Sequence, residues 1–295
     1  MSAAVKLGVI FPQTEIGTDP IAIRDYAQAA ESIGFDYLLA FDHVLGANAG
    51  SRLGWGGAYR HTDSFHEPFV LFGYLAAVTR TIGLTTGILI LPQRQTALVA
   101  KQAAEVDVLS GGRLRLGIGT GWNAMEYEGL GEDFSNRGLR SEEQIEVMRA
   151  LWTNDLVTLN NRWHKITDAG INPRPVQQPI PIWFGGSDDR VLRRVARIGD
   201  GWISNMSRAD GRASDTISRI REYGIKEGRD LDDIGIETWV SARHGDPDDW
   251  ADEVHKWTDL GATHISINTM GAGFTSVQQH ISAIRDFANY QGLGA

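Results

Sequence analysis

The sequence predicts an α/β protein, a (β/α)8 TIM barrel with loop insertions after strand 2 and before strand 5. Three observations carry that expectation. Short β-branched runs alternate with longer segments of helical period to the end of the chain. The runs are apolar at nearly every position, as strands covered by helices on both faces are, so the sheet reads as parallel. Eight such units follow one another without a break in composition. That favours one closed barrel, a single domain over 1–295, above an open sheet that leaves a second domain to account for.

The strand candidates are "KLGVIF" (6–11), "DYLLAF" (36–41), "IGLTTGIL" (82–89), "RLRLGIG" (113–119), "IPIWFG" (180–185), "GWIS" (201–204), "IGIETWV" (234–240) and "HISIN" (264–268). Helices separate them. Ile21, Tyr26, Ala30 and Ile33 form an apolar stripe after Asp19-Pro20, with Gly34 as a stop. Val99, Ala103, Val106 and Leu109 step at helical spacing to Gly111-Gly112, and Val191, Val195 and Ile198 do so to Gly199. Ser276 and Gln279 have capping-box spacing ahead of Val277, Ile281, Ile284 and Phe287. Two segments exceed a simple unit. Residues 44–66 are too glycine-rich for a helix and read as a long loop, and residues 155–178 as a hairpin followed by an extended Pro-bearing stretch. Long loops in compact domains are usually lids or binding loops.

The net charge is −9 and no Lys/Arg cluster offers a footprint for phosphate backbones. Nucleic acid and anionic membrane are thus excluded as partners, and a small-molecule substrate is expected. With no cysteine, disulfides, thiolate catalysis and thiolate-bound metals are excluded, and a cytoplasmic setting fits. The first apolar run ends at Pro12, too short for the core of a signal peptide, and no run approaches the ~20 residues that span a bilayer.

In such a barrel the active site lies at the C-terminal ends of the strands. Asp42-His43 at the end of strand 2 is the best acid/base pair, since histidine titrates near neutrality and a carboxylate tunes it; the plain alternative is a histidine satisfying rim hydrogen bonds. "WFGGSDDR" ends strand 5 in Gly185-Gly186-Ser187 and starts a helix, so free N–H groups and the helix dipole make a phosphate site, or Ser187 merely caps the helix. Gly87 lies inside strand 3, where glycine marks a bulge or a close backbone approach. "GIGTGWN" (117–123) is no dinucleotide fingerprint: its third glycine is misplaced and it follows the fourth strand. Its glycines instead suit a flat ring against the backbone. Trp55, Trp122, Trp163 and Trp183 are candidates for a cavity wall, with core packing as the alternative. His61, His66 and Glu67 fall in a loop without metal-site spacing, so no metal is expected.

These residues resemble the luciferase-like monooxygenase superfamily, and more closely its coenzyme F420-dependent oxidoreductases. The matching stretches are "AAESIGFDYLLAFDHV" (29–44), "TGILILPQRQTALVAKQAAEVDVLSGGRLRLGIGTGWNAMEYEGLG" (86–131) and "RPVQQPIPIWFGGS" (174–187). The resemblance implies F420, or alternatively FMN, across the C-terminal rim, and often a homodimer. It implies a non-proline cis peptide at Gly87–Ile88 behind the ring, a phosphate on Gly185, Gly186 and Ser187, and polar contacts from Asp42, Thr120 and Gly121, with Trp122 and Asn123 beside them. His43 matches a histidine that sits beside the transferred hydride in the family's sugar-phosphate dehydrogenases, and Asp42 would orient it or bind the cofactor. Those enzymes carry a glutamate where Trp122 stands here, so an apolar or aromatic substrate is expected in place of a sugar phosphate.

Overall fold

The computed structural model describes residues 4–51 and 59–293. In chain order it comprises β1 (Lys6–Ile10), α1 (Pro20–Ile33), β2 (Tyr37–Ala40), α2 (Pro68–Val78), β3 (Gly83–Thr86), β4 (Leu89–Ile90), α3 (Thr96–Ser110), β5 (Leu114–Gly119), α4 (Ala124–Gly129), α5 (Arg137–Thr153), β6 (Val157–Asn160) and β7 (Lys165–Ala169). It continues with β8 (Ile182–Gly185), α6 (Asp189–Ile198), β9 (Gly201–Ile203), α7 (Gly211–Lys226), β10 (Gly235–Ser241), α8 (Pro247–Asp259), β11 (His264–Asn268) and α9 (Val277–Tyr290). Asp19 caps α1 by accepting the N–H of Ile21, and Gly34 ends it in the left-handed region at φ 103°. Asp246 and Asp249 form a reciprocal capping box on α8.

The strands run in the order β3-β2-β1-β11-β10-β9-β8-β5-β4, and β3 also pairs with β5, which closes the barrel. Every pairing around it is parallel, so the (β/α)8 fold is as the patterning predicts. The third barrel strand differs from the continuous 82–89 expected: it is broken into β3 and β4 by a cis Gly87–Ile88 bond. Thr85 pairs with Arg115 and Leu89 with Ile118, so four steps on one side oppose three on the other, which is a bulge. Gly87 donates its N–H to Ala40 O at 2.7 Å across the break.

Both insertions are present. The second is the antiparallel hairpin β6–β7, clipped to the barrel exterior by His164, whose Nδ1 lies 2.7 Å from Glu143 and Nε2 2.5 Å from Thr96 Oγ1. Asp107, fully buried, holds the extended stretch that follows by accepting from Gln177 N and Nε2.

The barrel interior falls into two halves. At the N-terminal end Arg115 is stacked between Trp183 (4.1 Å to the ring centre) and Tyr37 (4.8 Å). A β-carbon on Gly8 would strike Tyr37, and one on Gly201 or Gly235 would strike Trp183, so glycine makes the room these rings fill. At the C-terminal end a β-carbon on Gly119 or Gly185 would strike only Ile88, the residue after the bulge, which therefore lies as a shelf across the mouth.

Candidate active site

Above that shelf a cavity of about 980 Å³ opens at the C-terminal ends of the strands. His43, Gly87, Ile88, Thr120, Gly121 and the Gly185–Ser187 loop all line it. The structure thus brings together nearly all the residues that the sequence nominates.

His43 leaves the end of β2 with its ring nearly buried. Its partner is not Asp42. Nδ1 lies 3.2 Å from both carboxylate oxygens of Glu126, on the short helix α4. Glu126 Oε1 also accepts the N–H groups of Val44 (2.9 Å) and Leu45 (3.2 Å). Burial works against the carboxylate ion, yet His43 and these N–H groups together hold Glu126 below its ordinary pKa. An ionised carboxylate can only accept, so His43 Nδ1 carries a proton and Nε2 is left for chemistry. Aromatic rings enclose the imidazole: Tyr59 at 4.2 Å, Phe65 at 4.9 Å and Trp122 at 6.2 Å between centres. Burial raises the Tyr59 phenol, which keeps it neutral.

Asp42 lines the cavity but serves the shelf. Its Oδ2 accepts Ile90 N–H at 2.9 Å and its Oδ1 meets Arg94 at 2.8 Å, while Arg94 also reaches Glu67 at 2.8 Å. This ties β4, just beyond the bulge, to the end of β2. Burial pushes the Asp42 carboxyl above its usual range, against the pull of Arg94.

At the strand-β8 loop Asp188, not Ser187, caps α6 by accepting Arg190 N–H at 3.0 Å. The indole of Trp202 donates to Gly186 O at 2.7 Å and fixes the loop, and Gly186 holds φ 114°, a conformation suited to glycine. The N–H groups of Ser187 and Asp188, past the ladder with β9, make no turn, loop or side-chain hydrogen bond among the described residues. They adjoin Arg190 and Arg212, the latter 3.5 Å from Ser187 Oγ. Gly185 begins this loop and also touches the Ile88 shelf, so the anion-seeking backbone starts where the flat support ends.

Some expectations are corrected. Asn123 is 4% exposed and lies off the cavity; its side chain caps α4 by accepting Met125 N–H, because the chain needs a helix start there to deliver Glu126. Trp183 belongs to the Arg115 stack and Trp163 packs against Arg162, so neither forms a wall. Trp122 and the unforeseen Trp239 do line the cavity; Trp55 lies outside the described residues. Glu126, Tyr59 and Arg94 are functional neighbours that the sequence reading missed. The acid three residues after the cap Asn123 is the one local signal that marks Glu126.

The luciferase-like monooxygenase family matches residues 6–258. The chain belongs to this family. It is 34% identical over 232 residues to an uncharacterized protein of Mycobacterium tuberculosis, covering 76% of each. It is 30% identical over 224 residues to the FMNH(2)-dependent dimethylsulfone monooxygenase of Pseudomonas putida, covering 75% of this chain and 58% of that one. Its fold is similar to that of the coenzyme F420 dependent tetrahydromethanopterin reductase from Methanopyrus kandleri, with a TM-score of 0.78 over 98% of both chains at 18% identity. A luciferase-like enzyme of the oxidoreductase type is what this membership shows. No helix among the described residues is long and apolar enough to cross a membrane.

Proposed function

We propose that this luciferase-like protein is a coenzyme F420-dependent oxidoreductase, passing a hydride to or from a small apolar or aromatic substrate in the cytoplasm. The observation that carries the reading is the His43–Glu126 pair, set over a shelf whose far edge runs into unpaired backbone N–H groups. A tricyclic ring with a phosphate-bearing side chain fits this arrangement. Gly119 and Gly185 make the room in which Ile88 lies at the mouth of a cavity of about 980 Å³, and the Ser187 and Asp188 N–H groups, beside Arg190 and Arg212, suit a phosphate. When bound, a reduced deazaflavin supplies the hydride.

The chain's residues do the rest. His43 Nε2 gives a proton to, or takes one from, the substrate atom whose charge changes. Glu126 keeps the imidazole in the tautomer that leaves Nε2 available and stabilises the imidazolium. Tyr59, Phe65 and Trp122 exclude water around it, and Asp42 with Arg94 holds the shelf in place.

A second reading, an FMN-dependent monooxygenase using dioxygen, is favoured by the dimethylsulfone monooxygenase relative, which is FMNH(2)-dependent by name. Fluorescence titration of the purified chain with F420 and with FMN separates the two. Micromolar binding of F420 with none of FMN supports hydride transfer. Binding of FMN alone overturns it in favour of the monooxygenase.

A further inference from the structure

The first insertion brings another polar group to the His43–Glu126 pair. Its two legs are joined by an isolated parallel bridge between Ala47 and Arg60. His61 donates its N–H to Ala47 O at 3.0 Å, and Asp63 accepts the N–H of Arg60 at 2.8 Å. Glycine at position 46 permits the close approach, since a β-carbon there would strike Arg60 O. Just before the bridge stands Tyr59, its ring centre 4.2 Å from that of His43 and 4.6 Å from that of Phe65. The opposite leg hangs from Glu126, which accepts the N–H groups of Val44 and Leu45 and also meets His43. One carboxylate thereby anchors both the imidazole and the leg against which Tyr59 is set.

A tyrosine packed among other side chains ordinarily gives its O–H to an acceptor. Tyr26, Tyr74 and Tyr127 follow that rule, each donating to a backbone carbonyl at 3.0, 2.9 and 2.7 Å. Tyr59 does not. Its hydroxyl has no hydrogen-bond partner among the described residues, and it is not one of the side-chain oxygens sealed inside the fold. The residue lines the cavity, so this open hydroxyl is available to what the cavity holds. Burial and the charge of Asp63 keep the phenol protonated, which makes it a donor. A fixed donor beside an imidazole that exchanges protons suits an oxygen whose negative charge changes during hydride transfer.

We propose that Tyr59 is a substrate-binding residue whose hydroxyl donates a hydrogen bond to a carbonyl-type oxygen at the reacting end of the substrate. The assignment rests on the oxidoreductase reading above and adds a feature to its substrate. The apolar or aromatic body carries an oxygen on the carbon that exchanges hydride, as in a ketone or aldehyde and the matching alcohol. It also gives the first insertion a chemical part, since its Ala47–Arg60 bridge sets the donor beside the proton-transfer group.

The test uses two probes of one shape, acetophenone and α-methylstyrene, in which a methylene group replaces the carbonyl oxygen. Their affinities are measured by ligand-observed NMR on the native chain and on Tyr59→Phe, each loaded with whichever of F420 and FMN it binds. Phenylalanine keeps the ring against His43 and removes only the hydroxyl, so the pair of probes and the pair of proteins form a cycle. The expected result is that Tyr59→Phe binds acetophenone about fivefold more weakly, as loss of one neutral hydrogen bond gives. Its affinities for α-methylstyrene and for the cofactor should stay within about twofold of native, since neither uses the hydroxyl. An equal change for both probes, no change for acetophenone, or no binding of acetophenone to the native chain overturns the Tyr59 assignment and leaves the oxidoreductase reading standing. Weakened cofactor binding in Tyr59→Phe places the hydroxyl on the cofactor and overturns the assignment as well. Failure of both cofactors to bind the native chain overturns both readings.

Discussion

The two ends of this barrel use the same device to opposite purposes. At both, glycines stand inside strands where side chains would otherwise meet. At the N-terminal end, Gly8, Gly201 and Gly235 yield to rings of the protein itself, and Tyr37 and Trp183 close on Arg115. At the C-terminal end, Gly119 and Gly185 yield only to Ile88, and what remains is open cavity. A strand glycine signals a close approach. Whether the approaching group is a neighbour or a ligand is decided by what the facing strands carry at that level.

Four measurements would break or sharpen that contrast. The largest effect belongs to Trp183→Ala, which empties the plug. It should lower the unfolding free energy by about 3–5 kcal/mol, as other buried tryptophan truncations do, while cofactor affinity per folded molecule stays as it was. Urea unfolding and titration side by side read both; a parallel loss of affinity would erase the distinction between the halves.

His43→Ala is the mirror image. Turnover should fall by roughly 10²- to 10⁴-fold, the usual contribution of a positioned proton-transfer group, with stability and cofactor binding nearly intact. Unchanged turnover would remove His43 from the chemistry. Next comes Gly186→Val, at a backbone position with φ 114°. Cofactor binding should weaken about tenfold as the strained loop re-aims its N–H groups, and normal affinity would refute the phosphate assignment.

The smallest effect is a change of slope. Glu126 is held below its ordinary pKa in the folded chain. Its contribution to stability is therefore full above the unfolded carboxylate value, near ~4.3, and is lost as pH falls through the folded one. Glu126→Gln should flatten the stability profile below about pH 4.5 by that linkage, while leaving the slope near neutrality alone. An acid limb as steep as the native one would show that Glu126 is not held as described.

How much was legible in advance follows from the distance over which each feature is determined. The strands and the first helix are local: their apolar runs, the Asp19 cap and the Gly34 stop sit within a few residues of one another. His43 and the glycines of the rim were legible because a parallel barrel fixes which end of each strand is functional. The family resemblance added the cis bond at Gly87–Ile88, which no pattern of apolar residues contains. Glu126 was hidden because it meets His43 across 83 positions, whereas Asp42 is adjacent in sequence and looked the natural partner. Adjacent residues at a strand end point to different sides, and Asp42 turns instead to Arg94, 52 positions away. Asn123 misled for a related reason. It ends a glycine-rich stretch that faces the cavity, but starting α4 takes its side chain.

The first insertion has a consequence for engineering. Its described residues carry no barrel strand, yet they place Tyr59 and Phe65 against the imidazole. It is gripped at its ends by two acids, Glu126 on the N–H groups of Val44 and Leu45 and Glu67 on Val70 and Arg94. A segment held that way is a cassette. Swapping it between relatives that keep both acids would re-line the side of the mouth around His43 while the side built on β4, β5 and β8, where the cofactor is proposed to lie, carries over unaltered.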